Sequence, residues 1–211
     1  MKRLSLLLLF PLLLTAATDN FYVAQSNHDG RSVGVGASYP PSQSDGDTDN
    51  AVVTATRTLF GGNYIIRVGL VWFDTSALPD NAVITAASLH LHAYRNGDTD
   101  SRNLAAEYYT ESPPVDLGRD YTTTAATTAF SVDLTTLQDQ VGNAQWEEFT
   151  LTSPAENISK TGYTGFRFHI TGGQPSGTNL ASFYSYDGTN PPYLSVTYTV
   201  PSPKIIIVNS D

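Results

Sequence analysis

Between Arg67 and Tyr94 the chain carries two apolar runs on either side of a polar turn. The first run, Val68 to Phe73, is apolar almost without interruption and ends at Asp74. The turn contains Pro79, Asp80 and Asn81. The second run alternates strictly: Ala87, Leu89, Leu91 and Ala93 point one way, while Ser88, His90, His92 and Tyr94 point the other. Successive side chains of a strand face opposite ways, so this period predicts a half-buried strand. The block therefore reads as two long, adjacent strands of an antiparallel sheet.

Similar patterning runs along the rest of the chain. A first strand region is expected from Asn20 to Gly36, and residues 37–50 read as a Pro-, Gly- and Asp-punctuated loop. A Val/Thr-rich strand spans Ala51 to Leu59, and Gly61, Gly62 and Asn63 turn the chain into the strand Tyr64 to Asp74. Strands follow at 83–95, 104–110, 130–134, 146–151, 166–170, 182–187 and 193–200, with a polar loop at 96–102 and a turn-rich stretch at 112–128. One short helical turn each is expected within 135–141 and 154–160. Many short strands without a helix of ordinary length predict an all-β fold, an antiparallel β-sandwich of jelly-roll type.

Composition narrows the class. The chain has 211 residues, 40% apolar and only 15% charged, with no Cys and a net charge of −9. It is long enough for one sizeable domain. The acidic balance excludes nucleic acid as a partner, because phosphate neutralisation needs clustered Lys or Arg. Lys2 and Arg3, an apolar stretch from Leu4 to Leu14, and Thr15, Ala16 and Ala17 form a signal-like leader, with a cut expected after Ala17. The apolar stretch is shorter than the ~20 residues that span a bilayer, so no membrane span is expected in the mature chain. The organisation read from the sequence is a leader at 1–17, one β-sandwich domain at 18–200, and a tail at 201–211 bounded by Pro201 and Pro203. Export without Cys leaves stability to core burial rather than disulfides.

The same residues resemble the DNRLRE-type family of extracellular β-sandwich modules, which are similar to carbohydrate-binding modules on surface proteins. The shared pattern is Arg67, then Phe73, Asp74 and Ser76, then Leu78 and Pro79, then Ile84, Ala87, Leu89 and Leu91. Near the end, Phe183 and Ser185 precede Pro191, Pro192, Leu194, Val196 and Tyr198 in the family manner. Tyr186 and Asp187 stand where an Arg-Glu pair belongs in that pattern. The resemblance covers about residues 20 to 200 and implies a secreted or surface-displayed sandwich. Its matched positions are mostly core and turn positions, which speak to fold rather than function.

Three groups of residues carry candidate chemistry. Tyr184, Tyr186, Tyr108, Tyr109 and Trp146 offer flat rings on which sugars stack. Asp45, Asp47 and Asp49, and likewise Asn96, Asp98 and Asp100, fall at alternate positions that can converge on a structural calcium ion. Neither loop has the sixth-position Gly of an EF-hand, since Asn50 and Ser101 stand there. Ile205, Ile206, Ile207 and Val208 form a β-prone tail that either closes its own sheet or joins a neighbour's edge. His90 and His92 share one strand face, an outward polar pair or two ligands of a zinc ion. Asn157 and Ser159 complete a glycosylation sequon. No nucleophile elbow, phosphate loop or zincin motif is present, and Glu147 and Glu148, adjacent on a strand, face opposite ways.

These features predict a non-catalytic, secreted or surface β-sandwich with a structural, adhesive or polysaccharide-binding role. The alternative is a structural subunit of a larger assembly, either a virion tail, fibre or capsid decoration or an extracellular filament, self-associating through the tail. A glycan-active hydrolase has no residue in its favour.

Overall fold

The computed structural model describes residues 16–47, 52–122, 127–138 and 145–201. The alternating segment becomes the longest strand, β6 (Val83–Asp98), and the first apolar run becomes β5 (Asn63–Asp74); the two are not adjacent as expected, because two other strands, 52–60 and 178–184, pair between them. Before them come β1 (Ala16–Tyr22), β2 (Asp29–Gly36), β3 (Gln43–Asp47) and β4 (Val52–Phe60). After them come β7 (Asn103–Tyr109), a short helix α1 (Leu117–Thr122), β8 (Thr127–Asp133), β9 (Trp146–Thr150) and a single helical turn α2 (Pro154–Asn157). β10 (Tyr163–Ile170), β11 (Thr178–Tyr184) and β12 (Tyr193–Thr199) complete the fold. Every pairing is antiparallel, in the order β1-β12-β6-β11-β4-β5-β10-β7-β8, with β2 and β3 added beside β5 and β9 beside β6. The sheet curls into a half-barrel. Among the described residues no helix is long and apolar enough to cross a membrane.

β6 joins the two limbs of this sheet. Its first part pairs with β12 and β9, and residues 93–98 pair with β11. Ala87, Leu89, Leu91 and Ala93 are buried as the alternation requires, and the first three meet Phe149, Phe183, Leu194 and Val196 in one core. β5 reads differently for a physical reason. Val71 and Phe73 enter that core, whereas Leu70 and Trp72 pack on the opposite face against Tyr109 and Val115. A strand covered on both faces needs no alternation, which explains the unbroken apolar run. The Trp72 Nε1–H donates to the Glu111 carbonyl at 2.6 Å, so the buried indole keeps its hydrogen bond.

Several elements differ from the sequence reading. The expected single strand over 20–36 divides at the 3₁₀ turn Ser26–His28 into β1 and β2. β3 lies inside the expected loop 37–50, because β2 offers it a pairing edge from Arg31 to Gly34. β6 runs on to Asp98 through the start of the expected loop at 96–102, and β11 begins at Thr178 rather than 182. α1 forms within the turn-rich stretch, where the Asp116 carboxylate accepts the Arg119 N–H at 2.9 Å as an N-cap does. The helical turns are found at Leu134–Thr136 and Pro154–Asn157. β1 begins at Ala16 and so takes in the last two residues of the expected leader, Ala16 and Ala17; residues 1–15 and the tail from 202, with Ile205, Ile206, Ile207 and Val208, lie outside the described residues.

Candidate functional site: an aromatic face on the outer sheet

The four strands β1, β12, β6 and β9 bury one face and expose the other. Phe21, Leu194, Val196, Leu89, Ala87 and Phe149 point inward. On the other side the register sets Tyr22 opposite Tyr193, Tyr193 opposite His90, and His90 opposite Glu148. Two residues further along β6, His92 stands opposite Trp146. Directly opposed residues bring their side chains within contact distance, so this register builds a continuous ladder of rings.

Tyr22 and Tyr193 have ring centroids 5.4 Å apart. His90 stacks flat on Tyr193 at 4.2 Å with 5° between the planes. Trp146 meets Tyr193 at 5.2 Å and His92 edge-on at 5.1 Å. Tyr184 then contacts His92 and Tyr94, each at 5.4 Å. Offset, stacked and edge-to-face contacts of this kind contribute about 0.5–1.5 kcal/mol each beyond burial. The ladder is therefore ordered before any ligand arrives, yet Tyr22 (55%), Trp146 (43%) and Tyr94 (37%) remain open to solvent. Below it the same face carries Ser88, Thr150, Asn20, Ser195, Thr18 and Thr197, with Thr18 and Thr197 hydroxyls 2.9 Å apart.

The two histidines are part of the ladder rather than a metal pair. The His90 ring accepts or donates at Ser88 Oγ, 3.0 Å away, and lies 4.0 Å from Glu148. Burial against its neighbours pushes His90 below the usual imidazole range, with Glu148 pulling the other way. His92 is almost fully covered by Trp146 and Tyr184. The solvated polar face expected for His90 and His92 is thus an aromatic one.

Of the rings expected from sequence, Trp146 and Tyr184 are brought together here. Tyr108 and Tyr109 are corrections: both are buried, and cannot stack on an external sugar. The Tyr108 hydroxyl donates to the Thr152 carbonyl at 2.9 Å, and that of Tyr109 to Asp120 at 2.7 Å. Tyr186 is exposed, but its ring touches no other aromatic ring among the described residues. Tyr22, Tyr193 and Tyr94 were missed. Their signal was present, since each is next to a buried strand residue and so faces outward, but only the pairing of strands far apart in sequence aligns them.

The acidic loops also take other roles. Asp100 is held by Ser176, Asn179 and Arg102: it accepts from Asn179 Nδ2 at 2.8 Å and from Arg102 Nε at 3.2 Å. The Ser176 hydroxyl above all, then Asn179 and Arg102, lower its carboxyl to about 2. Arg102 in turn donates to the carbonyls of Thr171, Gly173 and Gln174. Asp98 accepts from the Arg102 N–H at 3.1 Å, and the Asn96 amide donates to the carbonyls of Leu134 and Leu137. Asn96, Asp98 and Asp100 therefore tie the end of β6 to its neighbours, with an arginine where the calcium ion was expected. Asp45 is exposed and accepts from the Gly46 N–H. Asp47 closes β3 at Arg31, and Asp49 lies outside the described residues. Among the described residues no group of three or more acidic or imidazole side chains is placed to hold a metal ion.

No family model matches the chain, and no curated protein matches it.

Proposed function

We propose that this chain is a non-catalytic, extracellular β-sandwich module of jelly-roll type that binds linear polysaccharide on the face running from Tyr22 to Tyr94. The observation that carries this reading is the ordered, partly exposed ring ladder flanked by hydroxyl side chains. The apolar face of a sugar ring stacks on an aromatic ring, and its hydroxyl edge bonds to Ser, Thr, Asn and Glu. The row Tyr22, Tyr193, His90 and Glu148 crosses four strands, roughly 14 Å at about 4.8 Å per strand, so it suits several sugar rings in line. An open, shallow platform favours the middle of a chain over its end. The resemblance of residues 20–200 to the DNRLRE-type modules supports the same reading, as does the signal-like leader. The curled sheet, with one core between the limbs joined by β6, supports the sandwich assignment.

The test is a glycan array followed by affinity electrophoresis on the polysaccharides that score. Trp146→Ala and Tyr22→Ala each remove an exposed ring, and each is expected to weaken retention about tenfold, the equivalent of about 1.4 kcal/mol. A blank array, or variants that bind like the native protein, would sink the proposal.

A second reading rests on a different observation. β1 pairs with β12 alone among the described residues and exposes most of its length, which leaves a seven-residue edge open to strand addition. On that reading the chain is an assembly subunit joined by such addition, and light scattering of the full-length protein would reveal the polymer.

A further inference from the structure

A cavity lies on the other limb, away from the aromatic face. It encloses about 460 Å³ and is lined by Arg57 of β4, Ile66 and Val68 of β5, Glu107 of β7, and Arg167 and His169 of β10. Tyr39, Pro40 and Pro41 close one side, and Tyr121 of α1 another. Arg167 and Glu107 are opposed in the β10–β7 register, which fixes their ion pair at 3.3 Å. The remaining Arg167 bonds run to the carbonyls of Asp120 and Tyr121, each at 3.2 Å, so α1 holds the guanidinium in place.

Charge and hydrogen bonding here are unbalanced in one direction. Two guanidinium groups face the cavity and only one carboxylate answers them. Arg167 is 7% exposed, and burial pushes its guanidinium below its usual value, against the pull of Glu107. The Arg57 Nε–H donates to the Ile170 carbonyl at 2.8 Å, and its Nη1 meets the Tyr39 hydroxyl, whose ring lies beneath it. No protein acceptor meets Arg57 Nη2 among the described residues. His169 Nδ1 is buried without a hydrogen-bond partner and stands 3.7 Å from the Glu107 carboxylate. Burial lowers the His169 pKa, so the ring adds hydrogen-bonding capacity rather than charge near neutral pH.

We propose that this cavity binds a small hydroxylated carboxylate the size of one sugar acid. Its carboxylate accepts a charge-assisted hydrogen bond from Arg57 Nη2, the guanidinium nitrogen that Ile170 and Tyr39 leave open. Its hydroxyls reach Glu107 and His169, and its carbon skeleton rests on Ile66, Val68, Pro40 and Pro41. The volume is that of an ordinary small-molecule site. In a chain of net charge −9, a cavity lined by two guanidinium groups and one carboxylate is a local positive surplus that favours an anion. The site stands on its own residues and does not depend on glycan binding at the ladder.

Titration calorimetry of the full chain, with D-glucuronate, D-galacturonate, D-glucose and acetate as probes, tests this. At least one uronate is expected to bind ten or more times tighter than both glucose and acetate, and Arg57→Gln is expected to remove that preference. Amide chemical-shift mapping on the native protein gives a readout that needs no variant: the uronate should move Arg57, Glu107, Arg167 and His169 and leave Trp146 and Tyr193 unmoved. Absence of uronate binding, equal binding of glucose or acetate, or shifts centred on the ladder would each overturn the proposal.

Discussion

Asp29 opens β2 with no exposed surface, and its Oδ2 accepts the Tyr186 N–H at 2.6 Å while Oδ1 has no partner among the described residues. Burial, with Asp187 nearby, raises its carboxyl to about 7 despite the opposing bond from Tyr186. An Asp in the unfolded chain releases its proton near pH ~3.9. Between those values the folded protein binds the proton and the unfolded chain does not. Stability from this group is therefore complete below pH ~4 and falls as pH rises through about 7, by roughly 4 kcal/mol in all. Asp29→Asn removes the charge. Its melting temperature is expected to exceed that of the native protein at pH 8, with the gap closing by pH 4. Identical pH profiles for the two proteins would refute this. In the sequence Asp29 is only one polar residue of the expected strand region from Asn20 to Gly36, since nothing local reports that β5 and the chain around Tyr186 cover the carboxylate.

At the scale of elements, β5, β10 and β7 lie in contact because Gly165 sits between Trp72 and Tyr109 in the ladder. A Cβ at this position would lie 2.6 Å from Trp72 Cδ1 and 2.6 Å from the Tyr109 carbonyl oxygen. The carbonyl belongs to the sheet and cannot move aside, so Gly165→Ala is expected to cost about 1–3 kcal/mol. Gly173→Ala meets nothing within 4 Å and serves as the neutral control. Urea denaturation midpoints of the two variants decide the matter; equal midpoints would show that the sheet relaxes around the methyl group. The long alternating β6 and the apolar β5 were legible as strands from their patterns, whereas the burial of β5 on both faces and the two strands between it and β6 were not. β3 and α1 were not. Gln43, Ser44 and Asp45 carry no apolar period, and they become a strand because the backbone of β2 pairs with them. α1 is too short to display a helical period, and Asp116 as its cap was the one local signal.

For the whole molecule, one hydrophobic core gathers residues from β1 through β12, with Val200 packed at its margin. Deleting residues 202–211 is expected to leave the melting temperature within about 2 °C of the native value, no more than the ~2–4 °C that 1 kcal/mol moves a domain of this size. If the tail also joins neighbours, the same deletion abolishes the assembled species seen by light scattering while the monomer melts unchanged; a large drop in melting temperature would instead place the tail in the domain's own sheet. The sequence by itself determined the all-β class, the inward residues of β6, the strand over the apolar run of β5, and Trp146 and Tyr184 as ring candidates, because strand periodicity is a local property of the chain. Tertiary structure alone decided that Tyr22, Tyr193, His90, Trp146, His92, Tyr184 and Tyr94 form one ladder, that Arg102 answers Asp100, and that Arg57, Glu107, Arg167 and His169 share a cavity. Those residues come from strands far apart in the chain, and only the register of non-local pairing brings them within reach of one another.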